Sequence, residues 1–144
     1  MTSPTFELVA AAIAKLRATP AVTGFVGTKI YDRVPEKQDG TPNVTSPYIS
    51  FGPVTGSPDD ADCSDAVEVT FQVDVWSWGN GEAYGSAECH KISDAVRRAL
   101  HNAELTLSVN ALVTLTCELF RILRDDDGVT NHGVIQFSAV VETP

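Results

Sequence analysis

Regular alternation of apolar and polar residues from Ala66 to Trp78 is the clearest structural signal in the chain. The apolar residues are Val67, Val69, Phe71, Val73 and Val75, and the polar residues between them are Glu68, Thr70, Gln72 and Asp74. A period of two predicts a strand with one face against a core and the other toward water.

Two further segments predict a long C-terminal hairpin. Leu112–Arg124 and Val129–Val141 flank Asp125–Gly128, which has the composition of a tight turn. The inward residues expected on the first strand are Val113, Leu115, Cys117 and Leu119, with a bulge near Phe120 and Ile122. Those expected on the second strand are Ile135, Phe137, Ala139 and Val141.

Apolar residues spaced by three and four predict two helices. The first runs from about Thr5 to Ala18, with Ser3 or Thr5 as its cap, and Pro20 ends it. Its expected buried stripe is Phe6, Val9, Ala10, Ile13 and Leu16. Ala21–Val26 is expected to add one short turn. The second helix runs from about Glu82 to His101, with the buried stripe Ile92, Ala95, Val96, Ala99 and Leu100.

The remaining segments are short strands and loops. Ile30–Val34 and Tyr48–Phe51 read as strands, the second ended by Gly52-Pro53, and Glu36–Ser46 reads as a loop. Val54–Asp65 is expected to be a polar surface excursion because it carries four aspartates. We therefore predict a single α+β domain over residues 1–144: one mostly antiparallel sheet of about four to five strands, two helices on one face, and the C-terminal hairpin.

The charge balance narrows the class of partner. The 144 residues contain ten Lys and Arg against nineteen Asp and Glu, which gives a formal net charge of −9. Binding to nucleic-acid phosphates requires clustered cations, so specific DNA binding is not expected. The N-terminus has no basic leader and no apolar stretch is long enough to span a membrane, so we expect synthesis in the cytoplasm and no membrane association.

Catalytic and metal-binding motifs are not found in the sequence. Cys89 and His90 are adjacent, but neighbours on a helix point about 100° apart, so Cys89 is expected in the core and His90 at the surface. The three cysteines lack zinc spacing, and neither aspartate cluster has the ligand pattern of a calcium loop. No cofactor and no metal are expected.

Trp76 and Trp78 fall on the polar face of the predicted central strand. Two indoles on such a face need cover, either from a loop or helix of the same chain or from a neighbouring subunit, where Trp is enriched. The sequence leaves both alternatives open.

Several ordered motifs resemble one family along almost the whole chain. They are Val22–Gly27, Ile30–Pro35, Pro47–Gly52, Val73–Ser77, Ile92–His101, Arg124–Gly128 and Thr130–Phe137. In their order and spacing the chain resembles the tail terminators of tailed phages, prophages and gene transfer agents, related to the lambda-type terminator.

The resemblance implies a structural protein of the virion, assembled in the host cytoplasm, and not an enzyme. It implies a hexameric ring on the last ring of tail-tube protein, which stops tube growth and meets the head-completion proteins while DNA passes through the lumen without specific binding. The candidate interface residues are Asp59, Asp60, Asp62, Asp65, Trp76, Trp78, Arg33 and Arg124. The alternatives are a head-completion or neck protein, or a small cytosolic enzyme or ligand-binding domain that uses Cys89, His90 and His101.

Overall fold

The computed structural model of the protein describes residues 2–59 and 65–144. Five strands form one sheet: β1 (Ile30–Tyr31), β2 (Tyr48–Pro58), β3 (Asp65–Ser77), β4 (Ala111–Arg124) and β5 (Asn131–Thr143). Their spatial order is β1-β2-β3-β5-β4. β1 and β2 are parallel, and the other neighbouring pairs are antiparallel. The expected α+β class and mostly antiparallel sheet are confirmed, and the β1–β2 pair makes the sheet mixed.

Two helices, α1 (Pro4–Arg17) and α3 (Ala87–Leu100), pack against one face of this sheet, and α2 (Pro20–Val26) packs against both of them. The core lies between them and the sheet, and at its centre Phe71 stacks on Phe137 with ring centroids 5.2 Å apart. Among the described residues no single helix is long and apolar enough to cross a membrane; α1 and α2, bent by 79°, meet the length and composition test only as a pair.

The helix boundaries differ from the sequence prediction in two places. Ala21–Val26, expected to be one short turn, belongs to α2 and follows Pro20 at the first helical position. The second predicted helix begins five residues later than expected, after a 3-10 turn at Gly81–Ala83. Gly85 accounts for the delay, because glycine inside a helix costs about 1 kcal/mol relative to alanine.

The buried stripe predicted for α1 is partly right, since Leu16 is buried and Val9 and Ile13 pack, partly buried, against the core. Leu8, Ala12 and Leu16 face the core, whereas Phe6 is 68% exposed and Ala10 is also exposed. The helix carries two adjacent apolar stripes, so spacing alone does not decide which one is buried. Ser3 caps the helix as expected, accepting a hydrogen bond from the Phe6 N–H at 3.3 Å.

Glu7 fixes the orientation of α1 from within the protein. Its Oε1 accepts the Val109 N–H at 2.8 Å and its Oε2 accepts from Asn110 Nδ2 at 3.0 Å. These hydrogen bonds, the one from Val109 first, hold the pKa of Glu7 below its ordinary value. Glu7 therefore ties α1 to the segment that leads into β4.

The predicted end of β2 at Gly52-Pro53 is wrong, since the strand continues to Pro58. A register shift between Phe51 and Val54 absorbs this dipeptide, and proline is tolerated at bulges and on outer strands. Val54–Pro58, within the predicted surface excursion, is thus strand. A Cβ on Gly52 would lie 2.8 Å from Asp74 Oδ2, so glycine makes room for that carboxylate.

The C-terminal hairpin is confirmed, but the inward face predicted for β4 is only partly right. Leu115 is buried and Cys117 half-buried, whereas Val113 and Leu119 are exposed. Register shifts on either side of these residues, between Leu112 and Thr114 and between Cys117 and Leu119, break the alternation. All four inward residues predicted for β5 are buried.

Gly133 lets α3 pack closely on β5. A Cβ at this position would clash with Ser93 Oγ and lie 3.2 Å from Val75 Cβ and 3.3 Å from Cys89 Sγ. We expect Gly133→Ala to lower the free energy of unfolding by about 1–3 kcal/mol, the usual cost of overpacking. Gly85→Ala, where the added Cβ meets open space, is the matched control in a urea titration.

Glu7 should give the fold a measurable acid sensitivity. Because its pKa is lowered in the folded state, its contribution is present above pH 4.5 and is lost as the pH falls through the folded-state pKa. Glu7→Gln should therefore lower the melting temperature at pH 7, and the gap to the unsubstituted chain should narrow at about pH 3. An equal gap at both pH values would contradict this role.

Candidate functional site

The sheet face opposite the helices carries a connected set of polar side chains. Asp74 Oδ1 lies 2.7 Å from His132 Nε2 and accepts from Gln72 Nε2 at 2.8 Å. Gln136 Nε2 in turn donates to Gln72 Oε1 at 3.2 Å. Asp74 is buried although no helix covers it among the described residues, because its neighbours on β2, β3 and β5 enclose it. This part of the face is an ordered, hydrogen-bonded surface.

Trp76 belongs to the same network. Its indole stacks on the His132 ring with centroids 3.8 Å apart and an interplanar angle of 12°, and its Nε1 donates to Ser50 Oγ at 2.9 Å. It also stacks on Tyr48 at 6.2 Å. Residues of its own chain thus supply much of the cover that the indole requires.

Trp78 is held differently. Its backbone N–H donates to Ser46 Oγ at 2.8 Å, and its ring meets the Tyr48 ring edge-on at 6.0 Å. Both tryptophans line a cleft of about 500 Å³ together with Pro42, Val44, Tyr48, Asp125, Asp127, Val129 and Thr130. The loop 36–46 covers one side of this cleft and leaves the rest open. Trp78 is therefore partly covered by its own chain and is also accessible to a partner.

The other predicted interface residues are distributed over the molecule. Asp59 and Asp65 are exposed at the hairpin tip between β2 and β3, at the end of the sheet away from the tryptophans. Arg33 is exposed just after β1, and Arg124 is exposed at the end of β4. Asp60 and Asp62 lie outside the described residues. Among the predicted residues that the structure describes, Trp76 and Trp78 share one cleft.

The groups proposed for the catalytic alternative do not form a reactive arrangement. Burial raises the pKa of Cys89 to about 11, so its thiol stays protonated near neutral pH. His90 is exposed, and His101 Nδ1 accepts the Cys117 N–H at 2.9 Å. Within residues 2–59 and 65–144, no group of three His, Cys, Asp or Glu side chains is placed to hold a metal ion.

The turn Asp125–Gly128 uses the carboxylate of Asp127 internally. Asp127 accepts hydrogen bonds from the Val129 and Thr130 N–H groups and from the Thr130 hydroxyl, at 2.9, 2.8 and 2.6 Å. These bonds, those from Thr130 first, hold the pKa of Asp127 below its ordinary value. The tight-turn interpretation of this cluster therefore agrees with its geometry.

Sequence reasoning missed the outer edge of β4. The segment after α3 covers the first half of that edge, with Asn102 N–H donating to the Leu115 carbonyl at 2.8 Å. From Glu118 to Arg124 the described residues pair β4 with β5 alone. Three large apolar side chains are exposed there: Leu119, Phe120 and Leu123. We call Glu118–Arg124 the free edge.

Sequence reasoning also missed an apolar groove between α1 and β2. Thr5, Phe6, Val9, Ala10, Ile13, Asp32 and Val54 line this space of about 300 Å³. Four of these residues belong to the stripe that the spacing on α1 assigned to the core. We call this space the α1 groove. The sequence held one signal for each of these two surfaces. The apolar residues of β4 alternate poorly with polar ones, and α1 carries two apolar stripes.

Within the described residues the prominent surface features are apolar: the free edge, the α1 groove and the cleft that holds the two tryptophans. The sequence model of the family described as tail completion protein gp17 matches residues 10–142. The chain belongs to this family, which confirms the resemblance inferred from its motifs. The family is structural, so the alternative of a small enzyme is wrong.

Solved structures agree with this assignment. A chain from the virion of a native gene transfer agent particle is 27% identical, with a TM-score of 0.83, and the match covers 98% of this chain and 99% of that one. The gp17 protein of bacteriophage SPP1 is 23% identical with a TM-score of 0.55, covering 97% and 90%, and supports the fold alone. Among curated proteins no sequence match is found.

The two tryptophans should differ in their effect on stability. Trp76→Ala removes a hydrogen bond and two ring contacts and should lower the free energy of unfolding by about 2–4 kcal/mol. Trp78→Ala removes one edge contact at the cleft wall and should cost about 1 kcal/mol or less. Chemical unfolding of both variants tests this, and equal losses would contradict the assignment of Trp76 to the internal network.

Proposed function

We propose that this tail completion protein is a tail terminator. It forms a closed ring, hexameric in keeping with the family resemblance, at the head-proximal end of the tail tube. The ring stops polymerisation of the tube protein and provides the joint to the head-completion proteins. Its location is the tail or head–tail junction of a phage or a gene transfer agent particle.

The free edge is the observation that carries this proposal. Soluble proteins usually blunt an edge strand with proline, inward charges or a covering loop. Here the covering segment stops at Cys117, and the next seven residues expose Leu119, Phe120 and Leu123. A protein with a net charge of −9 that leaves such an edge open is suited to adding another subunit there.

Subunits that meet along strand edges would direct the two ends of each sheet along the ring axis. One end carries the aromatic cleft and the turn Asp125–Gly128, and the other carries the β2–β3 hairpin tip with Asp59 and Asp65. We assign these ends to the contacts with the tube protein and with the head-completion protein. Arg124, exposed where β4 ends beside Asn131, then belongs to the contact region of the aromatic end, whereas Arg33 follows β1, which runs away from that end.

The acidic balance supports passage of DNA without specific binding. Anionic walls repel phosphates, and the chain carries only ten basic side chains. Binding of phosphates to basic side chains gains free energy from the release of counterions. DNA moving through such a ring would make few contacts of this kind and would not be held.

Purified protein mixed with purified tail tubes tests the proposal. The expected result is rings by native mass spectrometry or electron microscopy, and tubes that stop growing once capped at one end. A chain that stays monomeric and neither binds nor caps tubes would contradict terminator function.

Co-purification separates the runner-up, a neck protein of the head–tail connector. A terminator should retain the tube protein, whereas a neck protein should retain the portal or adaptor. Retention of the portal alone would replace the proposed function with the alternative.

A further inference from the structure

We propose that the ring contact joins two different surfaces of this chain: Phe120 of one copy enters the α1 groove of the next, with Arg97 of the first beside Asp32 of the second. This inference rests on the proposed ring and specifies the interface that would close it.

Phe120 cannot reach the α1 groove of its own chain. The free edge lies on β4, at one side of the sheet, and the α1 groove lies against β2 and β1, at the other side. Contact between one patch and a different patch on the next copy is a heterologous interface, the kind that generates rings. A second copy of the chain offers its α1 groove to Phe120 of the first, and each copy carries both surfaces.

Phe120 and the α1 groove lie in the same layer of the molecule. Phe120 pairs with Ile135, a core residue on the helix-bearing face, and the Arg97 guanidinium of α3 lies 5.7 Å from its ring centroid. The α1 groove is formed by a helix on that same face. A neighbour placed side by side therefore presents Phe120 to α1 and not to the opposite, polar face.

The two surfaces lie at neighbouring heights along the strands. Cross-strand partners connect Phe120 through Ile135 and Val73 to Phe51. Val54, in the groove, lies at a second level across the sheet. Its cross-strand neighbours at that level are Phe71, Phe137 and Cys117, the last β4 residue before the bulge. Cyclic symmetry permits no shift along the ring axis, so two mating patches must lie at one height along it. Val73 and Phe71 are two residues apart on β3, an offset of about 7 Å. The α1 groove runs from Phe6 to Ile13, two turns of α1, a length that exceeds this offset.

Volume and exposure fit an aromatic side chain. The α1 groove, which is open to solvent, offers about 300 Å³, more than the volume of about 150 Å³ that holds a benzene ring in a closed apolar cavity. Phe120 is 59% exposed, and Phe6, in the groove wall, is 68% exposed. Insertion would cover both rings.

The charges beside the two surfaces are complementary. Asp94 bonds both Arg97 and Arg98, at 2.8 Å each, so this carboxylate balances one of the two positive charges, and Glu118 lines the same surface as Arg97 and Phe120. The α1 groove contributes one carboxylate, that of Asp32. An interface that brings Asp32 to Arg97 places opposite charges together.

Complementation between two variants tests the proposal. Ala10→Arg fills the α1 groove at an exposed position, and Phe120→Ser removes the inserted ring. Each variant alone should weaken assembly by at least about tenfold in native mass spectrometry, the range expected at an interface hot spot. An equimolar mixture should give one-to-one heterodimers without rings, because one intact groove and one intact Phe120 remain.

Matched controls separate these effects from loss of folding. Ala14→Arg places the same side chain one turn further along α1, outside the groove, and Tyr84→Ser removes another exposed aromatic ring, at 78% exposure. Both should assemble like the unsubstituted chain. Asp32→Arg and Arg97→Glu should each weaken assembly, and the double variant should recover most of it.

The outcomes distinguish this inference from the proposed function. If the unsubstituted chain forms rings while Ala10→Arg assembles equally well, the α1 groove is not the contact, and the inference falls while the terminator survives. Failure of Phe120→Ser alone, with no heterodimer in the mixture, would indicate pairing of two free edges. If the unsubstituted chain forms no rings, alone or on tail tubes, both the inference and the proposed function fall.

Discussion

The unbroken pairing of β3 with β5 is the constraint on which the rest of the structure depends. Thirteen consecutive residue pairs, from Asp65 with Thr143 to Ser77 with Asn131, keep one register without a shift. Asn131 extends this order beyond the sheet, because its Nδ2 donates to the carbonyls of Ser77, Ala83 and Gly85 at 3.2, 3.2 and 2.6 Å. The pairing therefore sets both the stacked aromatic core and the start of α3.

Because the central pair is regular, the irregularities lie on the outer strands. β2 shifts register at Gly52-Pro53, and β4 shifts on either side of the segment Thr114–Cys117. A bulge turns side chains that alternation would bury toward solvent. The free edge and the β2 wall of the α1 groove both follow such shifts. The fold thus separates a rigid centre from two sides that present apolar groups outward.

The sequence predicted the centre well and the sides poorly. Alternation identified β3 and β5 because one face of each is fully buried, which is the condition that makes a period of two visible. The same reasoning assigned Val113 and Leu119 to the core, since a bulge cannot be located from residue types alone. For α1, the choice between two apolar stripes depended on Glu7 and its hydrogen bonds to residues about one hundred positions away. Long-range contacts of this kind leave no local pattern.

The errors themselves carry functional information. Phe6, Ala10 and Leu119 were assigned to a core because their spacing is that of residues selected for burial. In the folded chain they are exposed, and an apolar side chain that stays in water contributes no burial free energy. The sequence places apolar residues at these positions, but the single chain does not bury them. This implies that a second surface covers them. The two places where the pattern and the fold disagree, α1 and β4, are the two sides that a closed ring would bring together.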